Sequence, residues 1–155
     1  MSGYADIVEK IKHQFPDAIV FEQNTCDEFP TLWVNKENIV GVLGFLKKDS
    51  ALRFSQLYDL SAIDEQARNN RQGQPESKFT IVYLLLSYSR NQFIRIKVGL
   101  NASKASIPSV TPVWSSANWY EREVYDMFGV NFEGHPNLRR ILMPGYWQGH
   151  PLQKA

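Results

Sequence analysis

The chain has one cysteine, Cys26, so it cannot close an internal disulfide, and one thiolate cannot by itself hold an iron–sulfur cluster or a structural zinc. It has no long apolar stretch either: the longest run, Ile81 to Leu86, is six residues, against the ~20 that a membrane-spanning helix needs. With Asp6 and Glu9 in the first ten residues, the start does not read as a secretory signal, and the expectation is a cytoplasmic chain. No glycine-rich phosphate loop, no Gly-x-Ser-x-Gly elbow and no Cys-x-x-Cys pair occurs, so the chemistry those motifs support has no local foundation. Charge of one sign is lacking overall, at +1 net, but not regionally: residues 77–120 carry five cations (Lys78, Arg90, Arg95, Lys97, Lys104) and no acid. A solvated sheet face, or a docking face for an acidic partner, accounts for such a stretch.

The composition is otherwise that of a folded domain, with 43% hydrophobic and 13% aromatic residues in 155 positions. Ile7, Val8, Ile11 and Phe15 recur at near-helical spacing and predict a helix over 4–14, ended by Pro16-Asp17. Ala18 to Phe21 and Thr31 to Val34 read as strands parted by a polar loop. Asn35 is placed to cap a second helix, Lys36 to Lys48, with Ile39, Val40, Leu43 and Leu46 inward and Lys47-Lys48 at its negative end. Leu52 to Leu60 reads as strand and Asp64 to Glu76 as an exposed loop. Phe79 to Tyr88 and Phe93 to Val98 form an antiparallel hairpin whose second strand alternates Phe93, Arg95 and Lys97 with Ile94, Ile96 and Val98, one face core and the other basic. The class expected is α+β: a single domain with a mainly antiparallel or mixed sheet, helices on one face, a core over 1–131 and an extended C-terminal arm over 132–155.

The densest chemistry lies in Asn118-Trp-Tyr-Glu-Arg-Glu-Val-Tyr-Asp-Met-Phe-Gly129, read as a helix capped by Asn118, with Glu121 completing a capping-box variant and Gly129 stopping it. At 100° per residue, Tyr120, Val124, Met127 and Phe128 share the inner stripe. Glu121 and Glu123 straddle that stripe, too far apart to act as an acid/base pair, and Arg122 and Asp126 fall four apart on the far face, where they can pair. In the following Gly134-His-Pro-Asn-Leu-Arg-Arg-Ile-Leu-Met-Pro144, Arg139 and Arg140 are candidates to fork onto the helix carboxylates. His135 and His150 each precede a proline; their spacing suits loop hydrogen bonds better than a metal site. No catalytic residue, metal ligand or bound cofactor is expected from these patterns.

The stretch 117–129, with Phe132-Glu-Gly-His-Pro-Asn-Leu-Arg-Arg-Ile-Leu-Met-Pro144 and Gly149-His-Pro-Leu152, resembles the C subunit of proton-pumping NADH:quinone oxidoreductase, respiratory complex I, and most of all the C part of fused C/D chains. The family signature falls on Glu121, Arg122, Glu123, Asp126, His135, Arg139 and Arg140. The resemblance implies a peripheral-arm subunit with no cofactor of its own, FMN and iron–sulfur clusters residing in partner subunits. It implies packing on the quinone-site D subunit near the B and I iron–sulfur subunits, at the cytoplasmic face of the inner membrane, with no nucleic acid and no span of its own. Tyr146, Trp147 and His150 are then the partner-binding candidates, large amphipathic anchors in a segment with little periodicity. Related modules of membrane-bound hydrogenases and plastid-type complexes share the pattern, and a nucleic-acid platform on Tyr83, Tyr88 and Phe93 is the reading from a different class.

Overall fold

The computed structural model describes residues 2–66 and 73–154. The expected helix appears as α1 (Ser2–Gln14), which buries Ile7, Val8 and Ile11, and β1 (Ile19–Gln23) pairs antiparallel with β2 (Thr31–Val34). Asn35 caps as predicted, accepting from the Asn38 N–H at 3.2 Å, but it starts a single 3-10 turn over 36–38. The α-helix proper, α2, runs Ile39–Lys48 and turns Ile39, Val42, Leu43 and Leu46 inward, with Val40 only partly covered.

The strand expected over 52–60 is displaced. Leu52 and Phe54 are fully buried, yet they sit in a turn that folds back under α2: the Asp49 carboxylate accepts from the Ala51 and Leu52 N–H groups, and the Phe54 N–H donates to the Leu46 carbonyl. Their apolar character serves the core without a ladder. β3 begins at Gln56 and continues to Asp64, into what reads as the loop over 64–76; residues 67–72 of that loop lie outside the described residues.

The hairpin forms as β4 (Phe79–Ser87) and β5 (Gln92–Leu100), antiparallel and in continuous register from Phe79↔Leu100 to Ser87↔Gln92. The five strands lie in the order β1-β2-β5-β4-β3, with β2 and β5 parallel and the other neighbours antiparallel, giving a mixed sheet. Ile94, Ile96 and Val98 are buried on one face as expected. The opposite face is less free than a basic strand suggests. Arg95 donates to Asp27 at 2.6 Å and lies over the Phe29 ring, while Lys97 is buried over Trp33 with its ammonium on Gln23.

β6 (Ser106–Pro108) and β7 (Asn131–Glu133) make a small parallel pair on either side of α3 (Ala117–Phe128) in sequence. β7 spans the boundary expected between core and arm, and Phe132 is itself a core residue. α3 packs against β3, and its residues Ala117 and Val124 join the same core as α1 and α2. Beyond β7, residues 134–154 contain no further strand or helix and fold in turns along α3.

Candidate functional site

Gly129 ends α3 in the left-handed conformation, φ 78°, and its N–H closes on the Tyr125 carbonyl at 2.8 Å. The remaining carbonyls of the last turn are met from the arm. His150 Nδ1–H donates to Asp126 O at 3.0 Å, the Leu152 N–H to Met127 O at 2.9 Å, and Gln153 Nε2 to Phe128 O at 2.6 Å. The arm therefore completes the C-terminal cap of α3, the groups that a helix end otherwise leaves to water. The Lys154 N–H extends the closure to β3 by donating to Asp64 at 2.6 Å; burial alone would raise the Asp64 carboxyl, but that bond and those from Gln66 hold it below its ordinary value.

One turn earlier the charged residues do the same work. Asp126 is fully buried, and its Oδ1 takes Arg140 Nη1 at 2.6 Å. Its Oδ2 accepts three consecutive backbone N–H groups, Ile141 at 3.1 Å, Leu142 at 2.8 Å and Met143 at 2.8 Å. The other arm of the Arg140 guanidinium donates to Gly149 O at 2.7 Å, so one arginine pins both ends of the loop 141–148. Arg122 lies over the Trp119 ring and donates to the Arg139 and Arg140 carbonyls at 3.1 and 2.9 Å.

The expected Arg122–Asp126 pair on a solvent face does not form. Both side chains are buried because the arm lies over that face, and each is spent on backbone groups of the arm. Of the two arginines expected to fork onto carboxylates, Arg140 does so; the Arg139 side chain is exposed and contributes its carbonyl. Glu123 is exposed.

Asn118 is not the N-cap: the helix begins at Ala117 after Ser116, with no side-chain cap. Glu121 turns inward instead of reaching back, because the segment before α3 offers it two donors, Ser109 Oγ at 2.6 Å and the Val110 N–H at 2.8 Å. Burial pushes its carboxyl up to about 7 although both bonds pull the other way. His135 Nδ1 accepts from the Asn137 N–H at 3.0 Å, so Nε2 carries the proton and donates to the Asn118 carbonyl at 3.1 Å, 4.0 Å from Glu121. Each histidine thus holds a loop to the helix, and they serve different ends of it. Among the described residues no three His, Cys, Asp or Glu side chains gather as a metal site.

Around this polar framework the arm turns apolar groups outward: Leu142 (61% exposed), Tyr146 (84%), Trp147 (45%) and Leu152 (51%), with Trp119 of α3 alongside Arg122. Sequence reasoning missed Ser109, Val110 and Gln153, the partners of Glu121 and of the helix end. Gln153 had one available signal, its place after a helix whose stop at Gly129 leaves carbonyls to satisfy.

The model of the family described as respiratory-chain NADH dehydrogenase, 30 Kd subunit, matches residues 32–155. The chain is 55% identical over 148 residues to the NADH-quinone oxidoreductase C/D subunit of Acinetobacter baylyi, covering 96% of this chain and 24% of that one. It is 49% identical to the protein of the same name from Psychrobacter arcticus, covering 96% and 25%. It therefore spans about a quarter of the length of these curated relatives. Among solved structures it is similar to the trypsin-resistant fragment 1–134 of Nqo5, with TM-score 0.70 and 25% identity over 87% of this chain and 99% of that one. The fold is also shared with a chain of an archaeal membrane-bound sulfane sulfur reductase, TM-score 0.63 at 22% identity, over 92% and 77%. With the fold, the α3 signature and a family match over four-fifths of its length in agreement, the chain belongs to the respiratory-chain NADH dehydrogenase 30 kDa subunit family.

Proposed function

We propose that the chain serves as a cofactor-free peripheral-arm subunit of NADH:quinone oxidoreductase, working through assembly and without catalytic activity of its own. It packs on the quinone-site D subunit, with the B and I iron–sulfur subunits as neighbours and FMN and the clusters held by partners, at the cytoplasmic face of the inner membrane. The C/D designation carried by the relatives supports the association with the D subunit.

The observation that carries the reading is the loop 141–148. It is fixed by Asp126 and Arg140 through polar bonds, so its large side chains are not needed to hold it. Tyr146 at 84% exposure and Trp147 at 45% are nonetheless presented on it, and aromatic anchors on a rigid loop are what a binding surface requires and a folded core does not. His150 lies at the loop's end, bonded to Asp126 O and edge-on to Tyr125, and ties the chain after the loop to α3.

The test is the double variant Tyr146→Ala with Trp147→Ala. Its melting temperature is expected to match the parent's, and its co-purification with the D subunit from membranes to fall at least tenfold, the effect of ~1.4 kcal/mol at a hot spot. Wild-type recovery of the D subunit with a folded double variant would place the grip elsewhere.

A further inference from the structure

Among the described residues, Glu121 is a buried carboxyl with no Lys or Arg as counter-ion. Its two hydrogen bonds come from neutral donors, Ser109 and Val110, and the group within ion-pair reach is His135 Nε2 at 4.0 Å, itself fully buried. From β4 it faces Tyr83, whose buried hydroxyl has no hydrogen-bond partner among the described residues and whose acidity is pushed well down, first by burial and then by the Glu121 charge. The other charged groups on the elements packed around it are engaged elsewhere. Asp59 and Asp64 of β3 bind backbone N–H groups, and Glu133 of β7 binds Ser106. On α3, Arg122 binds the arm's carbonyls, Asp126 binds Arg140, and Glu123 is exposed. Lys36 and Lys47, which reach the segment before α3 from the α2 side, bind the Ser106 and Val113 carbonyls.

His135 cannot supply the missing positive charge at rest. With the turn closed, Nδ1 accepts from the Asn137 N–H and Nε2–H donates to the Asn118 carbonyl, so neither nitrogen is free to offer a further proton. A second proton on Nδ1 would set N–H against N–H and open the 135–137 turn that begins the arm. Two arrangements remain: a protonated Glu121 with the turn closed, or an ionised Glu121 that either stays uncompensated in the interior or is met by a protonated His135 with the turn broken. Only the first leaves the turn closed and no uncompensated charge in the interior.

We infer that Glu121, beside His135, is a buried proton-accepting carboxyl that couples uptake of one proton by the chain to closure of the 135–137 turn, with which the arm begins its seating on α3. Burial raises the Glu121 carboxyl from 4.5 to about 7 in the closed form, so that form binds the proton more tightly than one in which water reaches the group. Closure is therefore strongest at acidic pH and weakens as pH rises from the ordinary carboxylate range through about 7. The coupling is a property of the chain alone and stands or falls separately from the association with the D subunit.

Amide hydrogen exchange of the whole chain between pH 6 and pH 8, corrected for the intrinsic effect of pH on exchange, reads it directly. The reporter is the Asn137 amide, bonded to His135. Linkage between values of about 4.5 and about 7 gives an opening constant roughly tenfold larger at pH 8 than at pH 6. Glu121→Gln should abolish that slope. Ser109→Ala, which keeps the carboxyl but removes a bond favouring its ionised form, should move the midpoint to higher pH. A flat wild-type profile, a slope that survives in Glu121→Gln, or a midpoint that stays or falls in Ser109→Ala would each overturn the inference.

Discussion

Replacing Asp126 by asparagine changes one atom in a side chain that organises a whole loop. The carboxylate takes Arg140 on one oxygen and the Ile141, Leu142 and Met143 N–H groups on the other. Asparagine keeps an acceptor for the three amides but turns an NH₂ toward the guanidinium, leaving a largely covered Arg140 without its counter-ion. Removing one partner of a buried pair costs roughly 3–5 kcal/mol. Arg140 keeps the Asp126 and Gly149 carbonyls, so the lower end, about 3 kcal/mol, is the expected loss. It should fall on the seating of the arm before the melting of the sheet, whose ladders close strand to strand and which meets the arm near its end, where Lys154 donates to Asp64.

The assay is urea denaturation for the whole domain beside hydrogen exchange at Ile141, Leu142 and Met143 for the arm. Exchange there should accelerate by on the order of 100-fold, the equivalent of about 3 kcal/mol, with a smaller change in the urea midpoint. The pH dependence has a definite sign. Burial alone would raise the Asp126 carboxyl, but the bonds from Met143, Arg140, Leu142 and Ile141 outweigh it and hold the group below its ordinary 3.8. Its contribution is present above that value and lost as pH falls through the lowered one, so Asp126→Asn should flatten the acid limb of the stability profile. A loss under about 1 kcal/mol with unchanged exchange at 141–143 would refute the view that this carboxylate organises the loop.

Arg140→Ala should destabilise the arm by an amount similar to Asp126→Asn, whereas Arg139→Ala, Lys78→Ala and Lys104→Ala should each stay within about 0.5 kcal/mol by thermal melting. Equal melting temperatures and equal exchange for all four would contradict the assignment of the lock to Arg140. Gly129→Ala combines a left-handed backbone, φ 78°, with a new Cβ that would meet His150 Cδ2 at 2.8 Å and Gln153 Nε2 at 2.9 Å. It should cost about 1 kcal/mol or more and release the last residues of the arm, seen as faster exchange at Leu152; a neutral outcome would mean that the arm's end does not seat there.

What could be read from the sequence was whatever repeats locally. The alternation along Phe93 to Val98 belongs to one strand and survives in β5; the helix over 118–128 and its stop at Gly129 needed no knowledge of neighbours. Leu52 and Phe54 defeated the same logic because burial without a ladder leaves the same apolar signature as a strand. The inner and outer faces of α3 were misjudged for a related reason. Charged residues opposite an apolar stripe normally face water, and nothing within one helix discloses that a segment 14 to 18 residues downstream will cover them. Of two adjacent arginines only one can face the helix from an extended segment, and which one depends on register, fixed here by the Asp126 bonds to 141–143.

The arm's residues divide by the face they occupy, and the division bears on function. Arg140, His150 and Gln153 point at α3 and satisfy groups the helix cannot satisfy alone. Their identity is explained by folding, and their loss would reach a partner only by releasing the loop 141–148. Leu142, Tyr146, Trp147 and Leu152 turn outward, and each leaves apolar surface in water that costs ~25 cal/mol per Å² until something covers it. A loop held by polar bonds has no folding need for those side chains; small polar residues would serve as well. The proposed docking role gives their presence a reason, and substitutions of this outward set test it with the loop's polar bonds left in place.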